Sequence, residues 1–150
     1  QQPAYMDLLN LICLQEGRAG VYLKAWAEKT QDPALRECLG LVAGREANHY
    51  HIFKRRIGEL GFTLEEEADP DNPERLRVVS SGIPDGEKIQ RFQEIQRRQP
   101  KPTARERYEA AMGDEAVDPL TRSLLRWFAD VETDSRGLMA EAYARVLGNG

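Results

Sequence analysis

Two stretches of this sequence repeat one another at an offset of 86 residues. Residues 22–46 (YLKAWAEKTQDPALRECLGLVAGRE) align with residues 108–132 (YEAAMGDEAVDPLTRSLLRWFADVE), and eight of the 25 positions are identical. The shared positions include an Asp-Pro step, which is typical of the start of a helix. Two similar helix pairs joined by a long connection describe a four-helix bundle. The repeat therefore predicts an all-α protein with that architecture.

Helix signals place the boundaries of these segments. Asp32-Pro33 indicates a helix start, and Gly61 follows the last apolar position of the same helix. Loops as long as the connection that follows are uncommon unless they have a specific role, such as carrying the chain back along a bundle. We expect one domain over residues 1–150. Its first half is a helix pair at 4–60, followed by a crossover at 62–86 with one extended piece at 75–79. Its second half is a third helix at 86–114, broken by Pro100 and Pro102, and a last helix at 119–147.

Composition excludes several classes of protein. Hydrophobic residues make up 41% of the chain, charged residues 31%, and the net charge is -4, so we expect neither nucleic acid nor a membrane as a partner. Cys13 and Cys38 do not make a disulfide framework, and we expect them to be reduced, which favours a cytoplasmic protein. The chain begins at Gln1 without a methionine, which leaves a missing N-terminal segment open.

Glutamates interrupt the apolar seams of three helices. A bundle helix buries positions at alternating steps of three and four residues. Glu46 and His49 stand in the seam of the second helix, and the repeat carries them onto Glu132 and Ser135 in the last. These side chains are therefore predicted to point inward. The seams are Leu9, Ile12, Glu16, Ala19, Leu23 and Trp26; Leu35, Leu39, Val42, Glu46, His49 and Phe53; and Leu125, Phe128, Glu132, Ser135 and Met139.

Several carboxylates at one level of a core need a positive charge nearby. A buried carboxylate is costly unless it is paired, protonated or metal-bound, and neighbouring carboxylates raise one another's pKa. A cation relieves all of them together, and oxygen ligands with one imidazole suit iron, manganese or zinc. A second solution needs no metal, because the guanidinium of Arg105 or the ammonium of Lys101 would supply the charge instead.

At these residues the sequence resembles the ferritin-like superfamily, in particular its rubrerythrin-like branch. The resemblance rests on Glu16, the Glu46-x-x-His49 pair, the QDP turn between them and the repetition of this arrangement in the second half. In that family the bundle holds two metal ions, with one glutamate each from helices 1 and 3 and a Glu-x-x-His pair each from helices 2 and 4. The resemblance implies iron handling, or a metal-dependent oxidoreductase acting on oxygen or peroxide with a separate redox partner chain. It also implies a homodimer.

The second half departs from the family pattern. Ser135 takes the place of the second histidine, Pro102 takes the place of the glutamate in helix 3, and Glu94 faces away from the apolar side that carries Phe92. The expected site is therefore a reduced one, with Glu16, Glu46 and Glu132 as oxygen ligands and His49 as the nitrogen ligand. Two functions stay open: a metal protein with redox chemistry, and a metal-free ferritin-like module with a structural, sensing or partner-binding role.

A few other residues have simpler interpretations. Tyr22 and Tyr108 occupy matched repeat positions and are expected at the edge of the core, where they are also candidates for hydrogen bonds to the site. Cys13 lies one turn before Glu16, and His51 is expected on the surface. The large aromatic residues Trp26, Trp127 and Phe128 are expected to fill the core or an interface.

Overall fold

The computed structural model describes residues 2–149 of the chain. In this range the chain forms α-helices and no strand, which confirms the predicted all-α class. The helices are α1 (Met6–Lys29), α2 (Pro33–Glu59), α3 (Asn72–Ser80), α4 (Asp85–Arg97), α5 (Ala104–Met112) and α6 (Pro119–Asn149).

The helices α1 and α2 form a close antiparallel pair. The backbone nitrogen of Ala47 would lie 3.2 Å from a Cβ atom placed on Gly20, so a side chain at this position would force the helices apart. The Cys13 thiol, two turns earlier in α1, donates a hydrogen bond to the carbonyl oxygen of Tyr50 at 3.3 Å. Residues nearer the start of α1 therefore contact residues nearer the end of α2. This closeness brings the seams of the two helices to the same level.

Two aspartates at matched repeat positions begin the helices α2 and α6. The side chains of Asp32 and Asp118 both accept hydrogen bonds from backbone N–H groups of the first helical turn. Each also binds an arginine from the far end of the other helix: Arg145 of α6 lies 2.9 Å from Asp32, and Arg56 of α2 lies 2.7 Å from Asp118. The helices α2 and α6 are therefore antiparallel, and the repeat in the sequence corresponds to a repeated set of contacts.

We expect the substitution Asp118→Ala to lower the free energy of unfolding by about 2 kcal/mol, because it removes a helix cap and two further hydrogen bonds at once. These bonds come from the Tyr5 hydroxyl at 2.6 Å and from Arg56. Urea denaturation would measure the change, with Asp130→Ala on an exposed position of the same helix as the control. Equal stability of the two variants would contradict the role given to Asp118.

The extended piece predicted at 75–79 is wrong, because these residues belong to the helix α3. Pro73 lies in the first turn of this helix, and the carbonyl oxygen of Asp71 accepts the N–H of Arg75 at 3.0 Å. The proline therefore starts a helix here, as proline does at first-turn positions. Before α3 the chain runs along α1, where the buried side chain of Asn10 both donates to and accepts from the backbone of Glu65, at 2.8 Å each.

The third predicted helix is broken into α4 and α5 by the Pro-Lys-Pro stretch at 100–102, as expected. Asp85, in the first turn of α4, accepts a hydrogen bond at 2.9 Å from the indole N–H of Trp26 and so holds α4 to the end of α1. A reciprocal cap starts α5: the Thr103 hydroxyl accepts from the Glu106 N–H, and the Glu106 carboxylate accepts from Thr103.

Apolar side chains form two separate clusters along the long helices. One cluster includes Phe53 and Phe128, and the other includes Trp26 and Leu39. The apolar positions of the predicted seams lie in these clusters or pack against them. The level between the two clusters is the one at which the seam glutamates interrupt the apolar pattern.

No helix in residues 2–149 has both the length and the apolar character that crossing a membrane requires. Cys13 and Cys38 are free thiols, in agreement with the expectation that they do not form a bridge.

Candidate metal centre

Four side chains from three helices converge between the two apolar clusters. Glu16 comes from α1, Glu46 and His49 from α2, and Glu132 from α6. Each offers one ligand atom, and these atoms lie within 4.8 Å of one another. The exposed fractions of Glu16, Glu46 and His49 are only 6%, 5% and 1%, while Glu132 is partly buried. The structure thus brings together all four residues that the seams indicated.

His49 is held in one orientation by contacts on several sides. Its Nδ1 atom lies 2.8 Å from Oε1 of Glu16. Its ring meets Trp127 and Phe128 of α6 edge to face, at centroid distances of 5.2 and 5.0 Å. Burial, with a smaller effect from the charge of Arg45, lowers the pKa of His49 to about 4. The imidazole is therefore neutral at physiological pH, which is the form that binds metals.

The pKa values of the three carboxyl groups lie far above the usual range for glutamate. Burial, followed by the hydrogen bond and the charge of Glu16, raises the pKa of Glu46 to about 9. Burial and the charge of Glu46 raise the pKa of Glu132 to about 8. Burial is also the main cause that raises the pKa of Glu16 well above its usual range. Burial therefore favours the neutral forms of both Glu16 and His49, which lie within hydrogen-bond distance of each other.

One buried oxygen of the cluster has no hydrogen-bond partner once the carboxyl groups are ionised. This atom, Oε1 of Glu46, is inaccessible to solvent, and a buried acceptor without a partner costs about 1–3 kcal/mol. Ligands bound to one ion at about 2.1 Å lie about 3.0 Å apart at right angles and about 4.2 Å apart when opposite. The separation of 2.8 Å between Glu16 and His49 fits the first value. The widest spacing in the group, up to 4.8 Å, requires a contraction of only about 0.6 Å.

Arg105 and Lys101, the predicted substitutes for a metal charge, do not reach the cluster. Arg105 donates to Glu109 at 3.2 Å on the surface. The side chain of Lys101 is 79% exposed and lies 3.9 Å from Glu106. The prediction fails because a surface guanidinium paired at i, i+4 keeps most of its hydration, which burial would remove.

Two other arginines lie near the carboxyl groups, and both are bound to other partners. Nη1 of Arg45 donates to Oδ2 of Asp134 at 2.8 Å and to Oγ of Ser135 at 3.0 Å. Nη1 of Arg136 donates to the Tyr108 hydroxyl at 3.2 Å. Their charges lower the pKa values of Glu46 and Glu132, respectively, but burial outweighs this effect. Neither arginine forms a salt bridge with a glutamate of the cluster. If the three carboxyl groups are ionised, neither one neutralises them through a direct ion pair.

The remaining positions of the family pattern contribute no carboxylate or imidazole. Ser135 is buried but offers only a hydroxyl, which accepts from Arg45. Pro102 and Glu94 are exposed. The orientation predicted for Glu94 is confirmed, and the cluster is a reduced set of three carboxyl groups and one imidazole.

Other sequence candidates lie near the cluster without joining it. The Cys13 thiol donates to a backbone carbonyl, and His51 is exposed on the surface, as expected. Burial raises the pKa of Tyr22 to about 12, with smaller effects from Glu46 and Glu16. Tyr22 is therefore a neutral phenol beside the site.

Sequence reasoning missed two contacts between α2 and α6 around the cluster. Trp127 is 41% exposed, yet its ring packs against the buried His49. Arg45 reaches across from α2 to Ser135. Both contacts join residues more than 75 positions apart, and neither residue stands at a seam position of its own helix. The spacing of apolar residues within a single helix therefore predicts neither contact.

Comparison with known proteins found no family model, no curated protein and no solved structure that matches this chain.

Proposed function

We propose that this chain is a ferritin-like four-helix bundle that binds one transition-metal ion through Glu16, Glu46, His49 and Glu132. The observation that carries the proposal is the buried Oε1 atom of Glu46, which has no hydrogen-bond partner when the three carboxyl groups around the neutral imidazole are ionised. A divalent cation would give this oxygen a partner and relieve the repulsion among the carboxylates. Three oxygen ligands and one nitrogen ligand suit iron, manganese or zinc, with water completing the shell.

The contacts among the helices support the bundle. α1, α2 and α6 supply three long helices, and α4 and α5, with the proline break between them, together provide the fourth. α4 and α5 both pack against α6. On this interpretation α3 belongs to the crossover that leads from α2 to α4.

The chain's own residues define what such a centre can do. When bound, iron would supply one-electron chemistry with oxygen or peroxide, as the resemblance to rubrerythrin-like proteins implies. Trp127 and Phe128 pack against the His49 ring and fix its orientation. The partly buried Glu132 marks the side on which the site is most open to small molecules. The neighbouring apolar clusters keep bulk water away from the other sides.

A second function is favoured by one observation. The distance of 2.8 Å between Glu16 and His49 is also that of a direct hydrogen bond, and the raised pKa values of the three carboxyl groups allow them to remain protonated. In this state the bundle needs no ion. It would then be a metal-free structural, sensing or partner-binding module.

Metal content separates the two functions. The protein would be purified without chelators, equilibrated with Fe²⁺ under anaerobic conditions or with Mn²⁺ or Zn²⁺, and analysed for metal bound per chain. We expect one ion per chain. Glu46→Ala should lower affinity by more than the roughly 10–100-fold that follows loss of a residue that only supports a ligand.

The matched control is Glu94→Ala, which removes an exposed glutamate from α4. We expect this variant to bind metal as the unchanged protein does. If the unchanged protein binds no metal, or if both variants lose it equally, the metal proposal is wrong and the metal-free module is favoured.

A further inference from the structure

The internal repeat assigns a counterpart to each member of the Glu46-x-x-His49 pair. Glu132 corresponds to Glu46 and joins the cluster, while Ser135 corresponds to His49. Ser135 is 3% exposed, so it still faces the interior as a ligand residue would. One half of the repeat therefore holds a complete pair of ligands, and the other half holds a glutamate and a hydroxyl.

The guanidinium of Arg45 fills the place beside this hydroxyl. It donates from the same nitrogen to Ser135 at 3.0 Å and to Asp134 at 2.8 Å. The side chain of Arg45 is 30% exposed, whereas that of Asp134 is 60% exposed. Asp134 thus holds the guanidinium from the solvent side, with its charged end directed at the buried Ser135. Proximity to Arg45 also lowers the pKa of both Glu46 and His49, although burial outweighs this effect for Glu46.

We propose that Arg45, held on Ser135 and Asp134, excludes a second metal ion from the side of the centre that carries residue 135. The inference rests on the proposed function. The guanidinium lies 3.0 Å from the Ser135 hydroxyl, on the residue where the second half of the repeat would otherwise place a nitrogen ligand. Its permanent positive charge repels a second cation at this position. Arg136, the other nearby cation, instead donates to Tyr108 and is exposed, so it does not block the position of Ser135.

A set of variants tests whether Arg45 excludes the second ion, or whether that ion is absent only because residue 135 is not a histidine. The proteins are the unchanged chain, Ser135→His, the double variant Arg45→Gln with Ser135→His, and a control that combines Arg136→Gln with Ser135→His. The control removes one nearby positive charge but leaves Arg45 on residue 135. Each protein would be equilibrated with Mn²⁺ and analysed for ions per chain. Electron paramagnetic resonance then distinguishes isolated ions from an exchange-coupled pair, and circular dichroism checks folding.

We expect two coupled ions only in the double variant that lacks Arg45, and one isolated ion in each of the others. Two ions in Ser135→His alone, or in the Arg136 control, would overturn the inference, because Arg45 would not then exclude the second ion. One ion in the folded double variant without Arg45 would overturn it as well. An unchanged chain that binds no Mn²⁺, Fe²⁺ or Zn²⁺ would instead defeat the proposed function, and with it any role for Arg45 in limiting the ion number.

Discussion

Metal-free protein is expected to lose stability as the pH rises from about 5 to about 8. The cause lies in the three carboxyl groups of the cluster. In the folded protein the pKa of Glu46 is about 9 and that of Glu132 about 8, against 4.5 for an unperturbed glutamate, and the pKa of Glu16 is raised too. The unfolded chain therefore releases these protons at lower pH than the folded chain does. Each group lowers the free energy of unfolding by about 1.4 kcal/mol per pH unit between its unfolded and folded pKa.

His49 acts in the opposite sense. Its pKa is about 4 in the folded protein and 6.5 when unperturbed, so its protonation in the unfolded chain lowers stability as the pH falls below about 6.5. This effect opposes that of the carboxyl groups at acid pH and is absent above about 6.5. The loss of stability with rising pH should therefore be steepest between about 6.5 and 8, where only the carboxyl groups contribute.

Urea denaturation at several pH values, with a chelator and then with excess Zn²⁺, would measure this behaviour. With chelator we expect a steep decline between about pH 6.5 and 8. With Zn²⁺ the decline should disappear, because the ion binds the deprotonated carboxylates and its affinity rises with pH. Unchanged or rising stability in chelator over the same range would show that the carboxyl groups are not buried together as described.

The substitution Glu46→Gln is expected to raise stability without metal and to remove most of the stability that metal adds. In chelator at about pH 8, glutamine replaces a carboxyl group that the folded protein must keep protonated, and it removes repulsion from Glu16 and Glu132. We expect the free energy of unfolding to rise by about 2 kcal/mol or more. With metal at about 100 times its dissociation constant, the unchanged protein gains about 2.7 kcal/mol that the variant largely loses.

The same denaturation experiment, done on both proteins with and without Zn²⁺, gives four free energies of unfolding and so separates the two effects. Glu94→Gln, at an exposed position, should leave all of them nearly unchanged. A Glu46→Gln variant that is less stable than the unchanged protein in chelator would mean that Glu46 carries a favourable charge interaction without metal. A variant that is equally stabilised by Zn²⁺ would mean that Glu46 is not a ligand.

The sequence allowed most of the long helices and all four cluster residues to be predicted. Asp32-Pro33 and the repeat located the starts of α2 and α6, because capping is a local interaction between a side chain and the next turn. Glu16 and Glu132 were found because they replace apolar residues in otherwise regular seams. Both signals depend only on residues within one helix, which a sequence displays directly.

The features that could not be predicted depend on contacts between distant segments. Pro73 was interpreted as part of a loop, although at the first turn of α3 it favours a helix that packs on α1. Arg105 was considered as a source of positive charge for the core, but Glu109 in the next turn offers it a hydrated partner. The contact of Arg45 with Ser135 depends on the relative rotation of α2 and α6, about which the seam pattern of either helix alone says little.

Crystallography with anomalous scattering at the metal absorption edge, on protein equilibrated with Mn²⁺ or Zn²⁺, is the most direct measurement. We expect one anomalous peak among Glu16, Glu46, His49 and Glu132, about 2.0–2.2 Å from the carboxylate oxygens and from a ring nitrogen of His49. If no peak appears there, and the three carboxyl groups instead hydrogen-bond to one another, the cluster holds protons rather than a metal and the proposed metal centre is wrong.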